Sequence, residues 1–132
     1  MKALVTGGLG FIGSNLVDFL ISKNWDVTVV DNLSTGSLDY KNEEVNYWIK
    51  GVEDLTFDDI KDFEYVFHLA ALPRIQPSFD EPLEHEDANV IITIKLLELL
   101  KKSTNLKKLV YSASSACYGT PKNYPTTESE QI

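Results

Sequence analysis

The chain of 132 residues has the length of one domain, and it is short for a complete enzyme that uses a bound cofactor. Twelve basic and 20 acidic side chains give a net charge of −8, which argues against nucleic acid or an anionic membrane as a partner. The single cysteine cannot form an internal disulfide, and we find neither a signal peptide nor an apolar run of 18 residues. We therefore expect a cytoplasmic protein.

The first motif is a glycine-rich turn between a predicted strand at residues 2–6 and a predicted helix at residues 11–21, which Asn24 is expected to end. Gly7, Gly10 and Gly13 allow, in that order, a tight turn, the close approach of a pyrophosphate and the packing of the helix on the strand. The free N–H groups at the start of such a helix can bind an anion. The pattern predicts a phosphate-binding turn; a glycine-rich turn without a ligand is the alternative.

A second predicted strand, residues 27–30, leads to Asp31, which lies 18 positions after Gly13. An acidic residue at about this distance binds the ribose 2′-hydroxyl in dinucleotide-binding folds, and its charge would repel a 2′-phosphate. The sequence thus favours NAD over NADP. The loop at residues 32–36, which contains Ser34, Thr35 and Gly36, would lie beside the adenosine ribose, or it is an ordinary solvated loop.

Two further strands and a short helix are predicted at residues 47–50, 64–69 and 57–61. No metal site is predicted, because His68 has no partner at ligand spacing; we interpret it as a core histidine that bonds the backbone. The loop at residues 72–82 holds three prolines and is not expected to be helical through its middle. We interpret Arg74 in this loop as a surface ion pair rather than a phosphate ligand.

The longest predicted helix, residues 83–102, is apolar on more than one side. It would form a subunit interface, in a homo-oligomer or with a complementary chain, or be covered by other chain. A fifth strand at residues 108–112 leads to a serine-rich segment at residues 112–119. These serines would either face a nicotinamide or cap a turn. The elements predict an α/β, Rossmann-like, doubly wound parallel sheet of strand order 3-2-1-4-5.

Four ordered motifs together resemble one family. They are Thr-Gly-Gly-Leu-Gly-Phe-Ile-Gly at 6–13, Asp-Asn-Leu-Ser-Thr-Gly at 31–36, His-Leu-Ala-Ala at 68–71 and Ser-Ala-Ser-Ser-Ala-Cys-Tyr-Gly at 112–119. They resemble the extended short-chain dehydrogenase/reductase family, in its NAD-dependent epimerase/dehydratase group. Within that group the chain is similar to the 4-epimerases of UDP-glucose and UDP-N-acetylglucosamine.

The resemblance implies roles for particular residues. The pyrophosphate of NAD would be held by Gly7, Gly10, Phe11, Ile12 and Gly13, and the adenosine ribose by Asp31 with Asn32. Leu69, Ala70 and Ala71 would line the cofactor, and Ser114 would be the catalytic serine that hydrogen-bonds the sugar 4-hydroxyl. The implied reaction moves a hydride from C4 of a UDP-sugar to NAD and back to the other face. No residue is expected to bind a metal.

The family's catalytic tyrosine and lysine, Tyr-x-x-x-Lys on a helix, would follow Ser114 later in the chain. Tyr118 and Lys122 have this spacing, but Gly119 and Pro121 prevent the helix that the pair needs. We therefore expect the NAD-binding part of a UDP-sugar 4-epimerase, from a truncated or split chain that is inactive alone. The alternatives are a stand-alone dinucleotide-binding module without catalysis and a fragment of an NAD-dependent nucleotide-sugar dehydratase.

Overall fold

The computed structural model describes residues 1–121 and 123–130, which form an α/β fold around one five-stranded sheet. The strands are β1 (Lys2–Thr6), β2 (Asp26–Asp31), β3 (Asn46–Ile49), β4 (Tyr65–His68) and β5 (Lys108–Tyr111). The helices are α1 (Phe11–Ser22), α2 (Phe57–Ile60), α3 (Ile75–Asp80), α4 (Pro82–Glu86) and α5 (Ile92–Leu100). Short 3-10 turns lie at Leu38–Tyr40, Val52–Asp54 and Ser115–Tyr118. Within the described ranges, no helix is long and apolar enough to cross a membrane.

The sheet has the order β3-β2-β1-β4-β5, and every strand pair is parallel. The predicted fold class and strand order are confirmed. β1 is central: Val5 is paired with Val29 of β2 on one side and with Phe67 of β4 on the other. The carboxyl ends of β1, β2 and β4 therefore meet at one edge, where open parallel sheets bind their ligands.

Two hydrophobic cores, one on each face of the sheet, hold the helices in place. Because strand side chains alternate between faces, Ala3 and Val5 face α1, whereas Leu4 between them faces α2 and α5. All three are fully buried. Burial on both faces explains why the central strands are continuous apolar runs rather than alternating ones. β1 is held between the two cores and ends at Thr6, and the glycine turn begins at the next residue.

The helix after the glycine turn forms as expected. α1 ends at Ser22, and Asn24 then adopts a left-handed conformation with φ of 59°, in which its amide donates to the carbonyl of Ile21. Asparagine tolerates this conformation better than most residues, so the stop that the sequence indicates is the one observed.

The prediction that residues 72–82 are not helical through their middle is wrong, because α3 occupies residues 75–80. Pro77 is the third residue of α3, and the first N–H groups of a helix have no intrahelical acceptor in any case. A proline is tolerated there. The carbonyl of Pro77 accepts from the amide of Glu81 at 2.8 Å, which closes the helix.

The interpretation of Arg74 as an ion-pair partner is also wrong for the described residues, since none of their ion pairs includes it. Arg74 is exposed and precedes α3 with φ of 87°, a strained conformation for a residue with a Cβ.

The predicted long helix is present, but it is divided. α4 begins at Pro82, a π-helical turn occupies Asp87–Ile91, and α5 continues to Leu100. Leu96 and Leu100 pack into the core, while other apolar side chains of this segment are exposed: Leu83, Val90, Ile91, Ile94 and Leu97. A subunit interface on this exposed surface stays a prediction.

Candidate functional site

The glycine turn is packed so closely that two of its glycines have no room for a side chain. Gly7 has φ of 71°, and a Cβ on it would lie 2.7 Å from the amide nitrogen of Ala70. A Cβ on Gly13 would lie 2.1 Å from the carbonyl oxygen of Gly7. The turn is thereby pressed against both its own helix and the segment that follows β4.

The start of α1 is open toward solvent and has no side-chain cap. Gly10 is the N-cap residue, and no acidic side chain lies in the first turn. A helix leaves its first amides without intrahelical acceptors, so those of Phe11, Ile12 and Gly13 point out of the helix start. Within 4 Å, a Cβ on Gly10 would meet only the carbonyl oxygen of Gly7, at 3.4 Å, so the space beside the N-cap residue is open. Such a helix start is where an anion can approach.

Asp31, at the end of β2, is buried and joins the glycine turn to the loop after β2. One carboxylate oxygen, Oδ2, accepts from the amide of Leu9 at 3.0 Å, and the other, Oδ1, accepts from the amide of Leu33 at 2.8 Å. Each carboxylate oxygen has two lone pairs, so one per oxygen is left to accept from a ligand hydroxyl.

The loop at residues 32–36 lies beside Asp31. Asn32, Ser34 and Thr35 are exposed, and Asn32 Oδ1 accepts from the amide of Ser34 at 3.0 Å. A Cβ on Gly36 would lie 3.0 Å from Asp31 Oδ1 and from the carbonyl oxygen of Leu9, so the loop folds back onto the glycine turn.

Leu69, Ala70 and Ala71 leave the end of β4 next to β1. The amide of Leu69 donates to the carbonyl of Thr6 at 3.1 Å, and the amide of Ala70 donates to Thr6 Oγ1 at 3.2 Å. Because Thr6 directly precedes Gly7, these two bonds hold the segment against the glycine turn. Three of the predicted cofactor-binding segments therefore meet at one edge of the sheet.

His68 is a buried core histidine, as interpreted, but its partners are threonine hydroxyls and not the backbone. Its Nδ1 lies 2.6 Å from Thr6 Oγ1, and its Nε2 lies 3.0 Å from Thr93 Oγ1. The ring also stacks on Tyr111 of β5, with ring centroids 5.6 Å apart. Neighbouring threonine side chains supply the bonds that we expected from the carbonyl and amide groups of the strand.

Sequence reasoning gave no role to several residues that support this edge. Asn89 Oδ1 accepts from the amide of Leu72, and Asn89 Nδ2 donates to the carbonyl of Leu72. Thr93 Oγ1 donates to the carbonyl of Asn89 at 2.9 Å. Gly8 is needed for packing, since a Cβ there would lie 2.6 Å from Val29 Cγ2. The signal in the sequence was two small polar residues, Asn89 and Thr93, four positions apart in the otherwise apolar stretch 88–94.

Ser114 lies after β5, in an exposed segment at the same edge of the sheet. Its Oγ accepts from the amide of Ala116 at 3.1 Å and so caps the 3-10 turn Ser115–Tyr118. Gly119, with φ of 59°, ends that turn directly after Tyr118, in agreement with the expectation that no helix continues from this tyrosine. Lys122, which has the Tyr-x-x-x-Lys spacing to Tyr118, lies outside the described residues.

Burial lowers the pKa of the His68 imidazole below its ordinary value of 6.5. The groups that face the ring are Thr6 from β1, Thr93 from α5 and Tyr111 from β5, and none of them is an acid that would favour the imidazolium. In the unfolded chain, the same group would titrate near 6.5.

We expect stability to fall as the pH drops below about 6.5, because the unfolded state then binds the proton that buried His68 resists. Above that pH, both states are neutral at this residue and the contribution is constant. Urea unfolding at a series of pH values measures this, with His68→Gln as the comparison. The variant should lack the decline between about pH 6.5 and 5; an identical decline in both proteins would contradict it.

Two carboxylates affect the stability of the fold at lower pH than His68 does. Hydrogen bonds from Thr56 lower the pKa of Asp59 below 3.8, and the Lys107 and Lys2 contacts lower that of Glu64 below 4.5. Groups with lowered values contribute stability that is lost only as the pH falls through those values, so their decline lies below that of His68.

The family model of the NAD dependent epimerase/dehydratase family matches residues 3–132. The chain belongs to this family. The match includes every segment of the edge described above, from the glycine turn to the residues after β5, and it agrees with the family resemblance and with NAD as the expected cofactor.

Proteins with similar sequences and structures include several UDP-sugar 4-epimerases and an NDP-hexosamine 5,6-dehydratase. A putative UDP-glucose 4-epimerase of Methanocaldococcus jannaschii is 39% identical over 98% of this chain. The UDP-N-acetylglucosamine 4-epimerase of Methanobrevibacter ruminantium, solved with UDP-N-acetylmuramic acid, is 42% identical with a TM-score of 0.87 over 99% of the chain. The UDP-glucose 4-epimerase of Bifidobacterium longum, solved with NAD+ and UDP, is 32% identical with a TM-score of 0.84 over 99% of the chain. This chain spans 43%, 43% and 42% of the length of these three proteins.

Proposed function

We propose that this chain is the NAD-binding part of a UDP-sugar 4-epimerase. The observation that carries the proposal is the meeting of the glycine turn, Asp31 and Ala70 at one edge of the sheet, joined by the bond from the amide of Leu9 to Asp31 Oδ2 and the close approach of Gly7 to Ala70. Family membership and the 4-epimerases similar to this chain support the choice of cofactor and reaction.

The residues at this edge fit NAD. The proposed pyrophosphate ligands are Gly7, Gly10, Phe11, Ile12 and Gly13. The open space at Gly10 and the uncapped start of α1 support these assignments, because amides and the positive end of the helix dipole attract an anion. In a chain with a net charge of −8, such local attraction is what holds a negatively charged ligand.

The proposed ribose ligands are Asp31 and Asn32, with Ser34, Thr35 and Gly36 forming the loop beside them. Asp31 already has one bond on each carboxylate oxygen, which fixes its orientation and leaves acceptor capacity for hydroxyl groups. A 2′-phosphate would place negative charge against a buried carboxylate, so NADP is expected to bind more weakly than NAD.

Leu69, Ala70 and Ala71 are proposed to line the cofactor through their backbone, and Ser114 to hydrogen-bond the sugar hydroxyl. When bound, NAD supplies the reversible hydride acceptor at C4 of the sugar. Ser114 Oγ accepts one bond from the amide of Ala116, so its proton is free for donation to a substrate oxygen. Ser114 thus orients the substrate but cannot act as a strong base.

We further propose that these 132 residues do not turn over a UDP-sugar by themselves. A general base with a lowered pKa is needed to remove the proton of the sugar hydroxyl. Tyr118 is followed directly by Gly119, whose positive φ ends the turn, so Tyr118 does not stand on the helix that the family's tyrosine and lysine need.

Binding of NAD and NADP to the purified chain, by calorimetric titration, tests the cofactor proposal. We expect NAD to bind at least about tenfold more tightly than NADP, a difference worth about 1.4 kcal/mol. A parallel assay of UDP-glucose and UDP-galactose interconversion is expected to show no turnover. Failure to bind NAD at millimolar concentration would overturn the cofactor assignment, whereas turnover would overturn only the claim that the chain is inactive alone.

A further inference from the structure

The segment at residues 69–72, which includes Ala70 and Ala71, is held at both ends by side chains from other elements. Near its start, the amide of Ala70 donates to Thr6 Oγ1 at 3.2 Å. At its end, the amide of Leu72 donates to Asn89 Oδ1 at 2.8 Å, and the carbonyl of Leu72 accepts from Asn89 Nδ2 at 3.1 Å. The position of this segment therefore depends on Thr6 and Asn89 as well as on the strand that precedes it.

His68 connects these two contacts. Thr93 Oγ1 donates its proton to the carbonyl of Asn89, so this oxygen can only accept from His68 Nε2–H. Nδ1 of the neutral ring then has no proton and accepts from the hydroxyl of Thr6. One unbroken chain of hydrogen bonds runs from the amide of Ala70 through Thr6, His68 and Thr93 to the carbonyl of Asn89, and one tautomer of neutral His68 satisfies it.

We propose that His68 is a positioning residue for cofactor binding: its imidazole joins Thr6 to Thr93 and thereby sets where residues 69–72 lie against the glycine turn. The inference rests on the proposed binding of NAD. The distances show why position matters, since Gly7 approaches Ala70 so closely that a Cβ would lie 2.7 Å from its amide nitrogen. A displacement of Ala70 is transmitted directly to the turn that is proposed to hold the pyrophosphate.

A histidine that only fills space would behave differently. It would hold its neighbours by packing alone. Replacing one of its hydroxyl partners with an apolar residue of the same shape would then leave the ligand site unchanged. Both ring nitrogens of His68 are instead bonded, and the stacking of Tyr111 on the ring face fixes the plane in which those bonds lie.

Thr93 allows the two interpretations to be separated with little change in shape. Thr93→Val removes the hydroxyl that bonds His68 and Asn89, and Thr93→Ser retains it. Two measurements are needed: hydrogen exchange at the amides of Ala70 and Leu72 without ligand, and the Kd for NAD. We expect Thr93→Val to speed the exchange of both amides and to raise the Kd by about tenfold. Thr93→Ser should stay within about twofold of the unaltered chain in both.

The two histidines provide a second, matched pair of variants. His68→Gln keeps a donor near the position of Nε2 but removes Nδ1 from Thr6, and we expect the same two effects from it if Thr93→Val does not fold. His85→Gln makes the same change at the other histidine, whose Nδ1 contacts the carbonyl of Glu81, and should alter neither measurement. Nitrogen chemical shifts of the His68 ring should report a protonated Nε2 and a bare Nδ1.

The outcomes are distinct. Unchanged exchange and unchanged Kd in folded Thr93→Val, or a protonated Nδ1 in His68, would overturn the positioning role while leaving NAD binding intact. Absence of NAD binding by the unaltered chain would overturn the proposed function, and the inference with it.

Discussion

Replacing Gly13 with alanine is expected to destabilise the fold by about 3 kcal/mol or more, a loss of roughly 10 °C in Tm for a domain of this size. The new Cβ would lie 2.1 Å from the carbonyl oxygen of Gly7 and 2.7 Å from Gly8 Cα. Both atoms belong to the backbone, so no side-chain rotation can relieve the clash. The gain in helix propensity from alanine, about 1 kcal/mol, is smaller than this cost. Thermal and urea unfolding of the variant measure the effect.

Gly10→Ala is the matched control for this result. A Cβ on Gly10 has one neighbour, the carbonyl oxygen of Gly7 at 3.4 Å, and the backbone of Gly10 is in the ordinary extended region. We expect a stability change below about 1 kcal/mol, together with at least tenfold weaker NAD binding, because the methyl group enters the space in front of α1. Equal stability of Gly13→Ala and Gly10→Ala would show that the turn is not packed as described.

Asp31→Asn is expected to lower the free energy of unfolding by about 2 kcal/mol. Asparagine has one oxygen, so its NH₂ group must face the amide of either Leu9 or Leu33, which leaves a donor unsatisfied beside a buried side chain. The same change removes the negative charge that disfavours a 2′-phosphate, so the preference for NAD over NADP should also decrease. Urea unfolding and paired titrations with the two nucleotides measure these effects.

Asp26 provides the control for Asp31, because it lies at the opposite end of β2 and is exposed. Asp26→Asn should change stability by less than about 0.5 kcal/mol and leave nucleotide preference unaltered. If both variants lost stability equally, the effect would be one of net charge and not of the two amide contacts.

The parts of the fold that the sequence predicts are those with short-range causes. The spacing of Gly7, Gly10 and Gly13, the left-handed stop at Asn24 and the apolar runs of the strands each depend on residues close in the chain. The strand order then follows from right-handed crossovers, because the elements alternate regularly between strand and helix. The same reasoning failed for α3, where the position of Pro77 in the first turn outweighs its general effect on helices.

The partners of His68 could not be derived in this way. Thr6 and Thr93 lie 62 and 25 residues from it in the chain, so only the assembled sheet and helix bring them together. The π-helical turn at Asp87–Ile91 also has no local signature that we recognise, although it carries Asn89, which contacts Leu72. Long-range contacts of small polar side chains are therefore the part of this site that one sequence does not reveal.

The close approach of Gly7 to Ala70 also sets an order of events during synthesis. A nascent chain can pair β1 with β2 as soon as residue 31 has left the ribosome. The turn at Gly7 can pack against Ala70 only after Ala70 has also been synthesised. Until then, the edge of β1 that will pair with β4 has no partner, and such edges are sites for mispairing and for chaperones. The central strand of the finished domain is thus an edge strand for part of its translation.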